Sequence, residues 1–310
     1  MEKTVVDLFC GSGGASCGFK KAKFTPICGV DLDKDALKSY SQNFPSAECI
    51  HGDIRSKELQ HKLIKNYSHV SCIIMCPPCQ SFSNRNLTTP NKEHDIKNEL
   101  PLISAELVSK MQPRAIFMEE VAQCKHIAPQ IKEILNRAGY KVQYSVVTAS
   151  NYQVPQKRKR FILIATLPGT EFVTPLYKRP VSVSEALAKH PIPLHGPEVS
   201  IPTRNKIIEL QKEKRRLIGG NYALIDVSKP APTIHTQSLS STGPYTIKRP
   251  DKENKDEYQY YSLSISEVAR LQSYPSTFKF IGNDTSVRRQ LGNSVPPMLA
   301  KNMAINIKYN

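Results

Sequence analysis

Short apolar runs alternate with helix-period segments through the first 167 positions of this 310-residue chain. Runs bounded by polar turns read as strands at Val5–Phe9, Ile27–Asp31, Glu48–His51, Cys72–Met75, Ala115–Glu119, Val142–Thr148 and Phe161–Leu167. Between them, Ile103, Leu107, Val108 and Met111 recur at helical spacing before Pro113. Ile127, Ile131, Ile134, Leu135 and Ala138 do the same before Gly139, a residue suited to the position after a helix end. Strands alternating with helices predict a doubly wound α/β domain on one broad seven-stranded sheet. The run from Val70 to Met75 is largely apolar, as expected of a parallel strand buried on both faces.

From Pro168 the pattern changes to scattered prolines, short apolar groups and basic clusters such as Lys212-Glu213-Lys214-Arg215-Arg216. Residues 173–261 read as a separate small domain, moderate to low in regular structure, with a charged, turn-rich loop over 248–257. Order returns at Ser264, which forms a capping-box pattern with Glu267 ahead of Val268, Ala269 and Leu271. A last helix is expected from Pro297 to Lys308, packed back on the sheet.

Charge sharpens the division. The net charge is +16, and it is uneven: residues 1–150 hold 19 Lys and Arg against 15 Asp and Glu, while residues 151–310 hold 24 against 12. A cationic second half favours a polyanion, and nucleic acid is the abundant one in cytosol. No apolar leader follows Met1 and no stretch of about eighteen apolar residues occurs, so a soluble, unexported protein is expected. All eight cysteines lie between Cys10 and Cys124, unlike a secreted disulfide scaffold, which fits a reducing compartment.

One cysteine stands apart. Pro77-Pro78-Cys79-Gln80-Ser81-Phe82-Ser83 follows the buried strand, and the prolines hold the Cys79 thiol in a stiff turn where a nucleophile would be presented. Cys76 and Cys79 formally make a CxxC, but no second pair completes a zinc site, and the polar residues that follow do not open a helix as a redox pair would want. A buried structural cysteine is the remaining alternative. Ahead of it, Asp7-Leu8-Phe9-Cys10-Gly11-Ser12-Gly13-Gly14 is a glycine loop between a strand and a helix, where backbone can approach a ligand. The dinucleotide spacing fails at Ser16. Asp31 and Asp53 lie at strand ends, each placed to hold a ribose or an adenine amino group, or equally to cap a helix.

In chain order, the glycine loop at 7–14, Pro77-Pro78-Cys79-Gln80, Glu119-Glu120-Val121, Gln156-Lys157-Arg158-Lys159-Arg160 and Gly292-Asn293-Ser294-Val295-Pro296-Pro297 form a series. It resembles the DNA (cytosine-5) methyltransferases, above all the bacterial modification enzymes, across the chain apart from roughly 173 to 228. The resemblance implies a Rossmann-like, S-adenosylmethionine-dependent α/β sheet. Residues 1–172 would be the catalytic and cofactor-binding domain, completed by 262–310. Residues 173–261 would be a smaller, mostly irregular and β target-recognition domain, with duplex DNA between the two. Phe9, Gly11 and Gly13 would line the cofactor, Asp31 would hold its ribose, and Asp53 and Ile54 would meet its adenine. Pro78, Leu100, Asn293 and Ser294 would complete the pocket. S-adenosylhomocysteine is the implied product, and no metal is implied.

By the same resemblance, the Cys79 thiolate adds to carbon 6 of a cytosine rotated out of the duplex. Glu119 would bind ring nitrogen 3 and the amino group, Arg160 the carbonyl oxygen, and Arg158 would support Glu119 or the thiolate. Gln80 and Ser83 would help fill the gap in the duplex beneath a loop carrying Arg85. Arg204, Lys206, Arg215, Arg216 and Lys229 would meet phosphates or base edges. A monomer in the bacterial cytosol, with no membrane association and a cognate restriction endonuclease acting on the same site, is the implied setting. Ser262 stands where many relatives carry arginine, and two further residues depart from the family: Glu120 replaces an asparagine and Cys76 a glycine. They leave a catalytically impaired DNA-binding homologue as an alternative, beside an RNA cytosine-5 methyltransferase.

Overall fold

The period-two apolar pattern is realised as a central strand flanked on both sides. In the computed structural model, which describes residues 2–78, 96–188, 196, 198–212, 223–234, 245–250 and 258–310, the order is as follows. The first part runs β1 (Thr4–Leu8), α1 (Gly14–Lys21), β2 (Thr25–Asp31), α2 (Lys34–Asn43), β3 (Glu48–His51), α3 (Lys57–Tyr67) and β4 (Cys72–Met75). It continues through α4 (Ile96–Met111), β5 (Ala115–Val121), α5 (Ala128–Arg137), β6 (Lys141–Thr148) and β7 (Lys159–Thr166). Then come β8 (Thr170–Phe172), α6 (Val183–Ala188), α7 (Ile201–Lys212), β9 (Ala223–Leu224), β10 (Tyr245–Pro250) and β11 (Tyr258–Ser262). The chain closes with α8 (Ile265–Leu271), α9 (Asp284–Asn293), α10 (Pro297–Ile305) and β12 (Ile307–Tyr309).

The seven expected strands form one sheet in the order β3-β2-β1-β4-β5-β7-β6. The first five positions are parallel, while β7 runs antiparallel to both β5 and β6. Strand order reverses between β1 and β4, so the carboxyl ends of β1, β2 and β4 border a crevice where α/β sheets bind ligands. Alternate residues serve opposite faces. Val6, Leu8, Ile73, Met75, Ile116 and Met118 pack with Leu107, Met111, Ile131 and Leu135, whereas Val5, Ile74 and Phe117 pack with Phe19, Leu299 and Met303. β4 is buried at all four residues.

α5 ends as its stripe predicts, with Gly139 at φ +90° just beyond. Ser264 and Glu267 form the expected reciprocal cap at the start of α8. A further core joins Val183, Ile225, Ala231, Ile234 and Ile247 to Leu263, Val268, Leu271, Tyr274, Val287 and Leu291.

Two expectations change. The final helix stops at Ile305, and Ile307 to Tyr309 instead pair antiparallel with β8. Ile307 is buried in the sheet core while Lys308 is exposed, a strand alternation too short to read without its distant partner. The 173–261 segment also holds more regular structure than its prolines suggest: α6, α7 and a three-stranded sheet in the order β11-β10-β9. Lys248 to Pro250, expected in the charged loop, instead belong to β10 and pair with β11, so the ladder reaches into the stretch with the poorest local signal.

Candidate active site

β1 ends at Leu8, and Phe9 turns the chain with φ +65°, which is strained for a residue carrying a Cβ. The loop that follows is tied to β2: the Gly11 amide donates to Asp31 Oδ2 at 2.7 Å, and Asp31 Oδ1 accepts from the Asp33 amide at 2.8 Å. Burial, foremost, raises the Asp31 pKa above its ordinary value. Asp31 is not a helix cap, because Asp33 caps α2 by accepting from the Asp35 and Ala36 amides. Asp53 likewise leaves capping of α3 to Ser56. Its carboxylate accepts from the Arg55 amide at 2.9 Å and Nε at 3.0 Å, and the guanidinium holds its pKa down. Ile54 beside it is buried.

The C-terminal segment closes on the same loop. Ser294 Oγ meets Tyr274 Oη at 2.5 Å, and Tyr274 Oη lies 3.4 Å from Ser12 Oγ. A Cβ at Gly14 would strike Ser294 Oγ and the Val295 carbonyl, so only glycine permits this approach. Asn293 is exposed, Leu100 is half-buried against the sheet core and Pro78 is exposed at the end of a described segment. Phe9, Gly11, Gly13, Asp31, Ser12 and Ser294 are thereby brought together around one crevice.

Glu119, near the end of β5, faces Arg160 on the antiparallel neighbour β7, with Nε 3.0 Å from Glu119 Oε1. Both side chains are largely enclosed, at 7% and 13% exposure. Glu119 Oε1, the buried oxygen of this ion pair, makes no well-aligned hydrogen bond. Arg158 precedes the strand and turns elsewhere. Its Nη1 donates to the Ile234 carbonyl at 2.9 Å and reaches the Gly292 carbonyl at 3.5 Å. Burial pulls its pKa down to about 9, which still leaves it charged at neutral pH. Glu120 is buried, and its Oε2 accepts from the Val121 amide at 2.8 Å. Burial, followed by the Glu119 charge, pushes the Cys76 thiol well above its ordinary pKa, so it stays protonated.

Cys79, Gln80, Ser83, Arg85, Arg215 and Arg216 lie outside the described residues, as does the side chain of Lys206. Lys229 is exposed and paired with Asp226 at 2.7 Å. Arg204 is exposed, its guanidinium 5.5 Å from the Tyr260 ring centre. A cavity of about 560 Å³ lined by Lys34, Leu37, Cys49, His51 and Ile281 contains none of the expected residues.

Three contributors escaped the sequence reading. Leu32, directly after Asp31 at the end of β2, is an apolar side chain left 60% exposed, which its sequence neighbours do not reveal. Gln156 is fully buried: Oε1 accepts from the Ile234 amide at 2.9 Å and Nε2 donates to Gln272 Oε1 at 3.1 Å. Asp7 is buried beneath the glycine loop, and its position in an otherwise apolar strand was the available signal.

The model of the C-5 cytosine-specific DNA methylase family matches residues 3–309. The type II methyltransferase M.HgiDI of Herpetosiphon aurantiacus is 30% identical over 98% of this chain and 93% of its own length. M1.HphI of Haemophilus parahaemolyticus is 29% identical over 98% and 86%. Among solved structures, the Entamoeba histolytica methyltransferase EhMeth superposes with a TM-score of 0.75 at 18% identity, covering 97% of this chain and 96% of that one, a likeness of fold. A family-model match over residues 3–309, on a seven-stranded α/β sheet, makes this chain a member of the C-5 cytosine-specific DNA methylases.

Proposed function

We propose that the chain performs its family's reaction, methylation of cytosine carbon 5 in duplex DNA, with Cys79, Glu119 and Arg160 acting on the base. The observation that carries this reading is the enclosed Glu119–Arg160 pair, a carboxylate and a guanidinium 3.0 Å apart at the ends of neighbouring strands. An everted cytosine offers the complementary edge: an amino donor and ring nitrogen for Glu119, and a carbonyl oxygen for Arg160. Cys79 adds through sulfur to carbon 6, which makes carbon 5 nucleophilic. Glu119 delivers or shares a proton at ring nitrogen 3 as charge builds on the ring. After methylation a base removes the carbon 5 proton, the sulfur leaves to restore the ring double bond, and ring nitrogen 3 returns its proton to Glu119. Arg158 acts as a positioning residue, tying the β7 end to Ile234 and Gly292.

S-adenosylmethionine, the family's cofactor, fits the crevice. Open space stands where a Cβ at Gly11 would project, and the first turn of α1 has neither a side-chain cap nor an acid. The cofactor supplies an electrophilic methyl group. Asp31 would hold the ribose hydroxyls, Asp53 and Ile54 the adenine, and Leu32 an apolar ring face. Asp31→Ala is expected to raise the KM for S-adenosylmethionine about tenfold or more with a smaller change in kcat, since it removes both a ligand acceptor and the Gly11 tie. Steady-state kinetics at saturating DNA would measure it.

The reading assigns residues 173–261 to target recognition and 1–172 with 262–310 to catalysis. Lys248 lies 3.9 Å from the Tyr258 ring centre and is opposite Tyr260, over which Arg204 sits, so two cations and two rings share one face of the β10–β11 ladder. Such a face suits a phosphate backbone. Lys248→Ala and Arg204→Ala are each expected to weaken DNA binding and to lower the salt slope by about 0.9 for each phosphate no longer neutralised. Titration of binding against salt concentration reads this directly. A type II partner endonuclease at the same site and action as a cytosolic monomer complete the reading. Among the described residues, no helix is long and apolar enough to cross a membrane. Bisulfite sequencing of DNA from cells expressing the chain tests the proposal: unconverted cytosines in one sequence context support it, and complete conversion everywhere counts against it.

A further inference from the structure

Two glutamines that the chemistry above does not use are completely buried, Gln156 ahead of β7 and Gln272 just after α8. Burying a side-chain amide is costly unless its oxygen and nitrogen are hydrogen-bonded, and here all four atoms are. The Ile234 amide donates to Gln156 Oε1 at 2.9 Å, and Gln156 Nε2 donates to Gln272 Oε1 at 3.1 Å and reaches the Leu271 carbonyl at 3.5 Å. Gln272 Nε2 donates to the Leu291 carbonyl at 2.7 Å. This relay has one direction. A backbone N–H at Ile234 requires an oxygen and a carbonyl at Leu291 requires an N–H, so turning over either side chain would set like against like at both of its ends.

The two ends of the relay belong to different parts of the molecule. Ile234 closes a segment that runs alongside the approach to β7: the Ala231 amide donates to the Pro155 carbonyl at 2.9 Å, the Lys157 amide to the Ala231 carbonyl at 2.7 Å, and Thr233 Oγ1 to the Lys157 carbonyl at 3.2 Å. Leu291 lies in the last turn of α9, three residues before Ser294, whose hydroxyl meets Tyr274 beside the glycine loop. Between the ends, Gln156 stands four residues before Arg160, the partner of Glu119. The bond between the two glutamines is sealed from water, so no solvent replaces it when one end shifts. Segments 156–160, 231–234 and 291–294 therefore move together or leave a buried donor or acceptor unpaired.

We propose that Gln272 is a positioning residue that makes duplex DNA and the cofactor bind cooperatively, by joining the 291–294 segment through Gln156 to the 231–234 segment. The inference rests on the cofactor and target-recognition readings above. In those readings DNA bears on the part of the chain that holds 231–234, and the cofactor on Asn293 and Ser294. Fixing one end through oriented amide bonds leaves less to fix at the other, and linkage makes the benefit equal in both directions. An apolar side chain of the same length at position 272 would fill the space and transmit nothing, because it neither accepts from Gln156 nor donates to Leu291.

The test is calorimetric titration of the full chain with S-adenosylhomocysteine, which binds without turnover, in the absence and presence of a saturating duplex carrying the sequence context that bisulfite sequencing identifies. The quantity read is the factor by which DNA tightens the ligand. In wild type a factor of about ten is expected, and in Gln272→Met it should fall to within about twofold of one. Gln156→Met should lose as much, and the double variant no more than either alone, since both residues serve one relay. Gln272→Glu keeps the acceptor for Gln156 but sets an oxygen against the Leu291 carbonyl, and the same fall is expected from it. If Gln272→Met does not fold, Gln272→Glu and Gln156→Met decide. A factor near one in wild type overturns the inference, as does a factor retained in the variants or a further fall in the double variant. A lower Tm and weaker binding of both ligands with the factor unchanged reduces Gln272 to a packing role and also overturns it. Failure of wild type to bind S-adenosylhomocysteine at all, or to methylate any sequence context, overturns the readings on which the inference rests.

Discussion

Cys79→Ala is expected to abolish methyl transfer to duplex DNA while leaving cofactor and DNA binding in place. The loss should be on the order of 10⁴- to 10⁶-fold, the scale at which removal of a covalent nucleophile is felt. Carbon 5 of cytosine has little nucleophilicity until a thiolate has added at carbon 6, so no partial route through general acid assistance replaces the sulfur. Cys76, three positions earlier, does not substitute for it: burial and the neighbouring Glu119 charge keep its thiol protonated. Transfer of labelled methyl groups in single turnover measures the effect, with gel shift as the control for binding. Wild type should also form a denaturation-resistant adduct on DNA containing 5-fluorocytosine, since fluorine cannot leave as a proton does. Residual turnover within tenfold of wild type would remove Cys79 from the chemistry.

Glu119→Gln is the second large effect, about 10²- to 10⁴-fold in kcat, the range of a lost general acid or base. Glutamine keeps the length but offers no exchangeable carboxyl proton, and it leaves Arg160 without its counter-charge in an enclosed setting. Some destabilisation accompanies this, below the 3–5 kcal/mol of a fully buried broken pair because the Arg160 side chain retains solvent contact. A fall in kcat with little change in the dissociation constant for DNA marks a role in the reaction. A parallel loss of DNA affinity and of Tm, with kcat unchanged among correctly folded molecules, would reduce Glu119 to a structural partner of Arg160.

Period two and uninterrupted apolar runs located all seven strands of the large sheet to within one or two residues, because β-structure buried on one or both faces must write its alternation locally. The acids at strand ends were legible as residues but not as roles. Asp31 and Asp53 each looked equally like a helix cap until Asp33 and Ser56 were found doing that work. The arginines show the same limit. Alternation predicts that Arg158 and Arg160 share a face, yet β7 begins at Lys159, so only Arg160 obeys the strand and reaches Glu119, while Arg158 turns to the carbonyls of Ile234 and Gly292. The last three ladder residues were hidden for a related reason: Ile307 to Tyr309 become a strand only because β8 is beside them.

By itself the sequence determined the sheet, its alternating helices and the order of five motifs along the chain, since these depend on propensities and spacings that act over a few residues. The tertiary structure alone decided which charges meet. It set Glu119 against Arg160, tied Gly11 to Asp31, and buried Asp7 against Ser16. Those outcomes follow from pairings between strands far apart in the chain and from burial, which changes a carboxyl by removing water from it, and neither quantity is written in the residues next door.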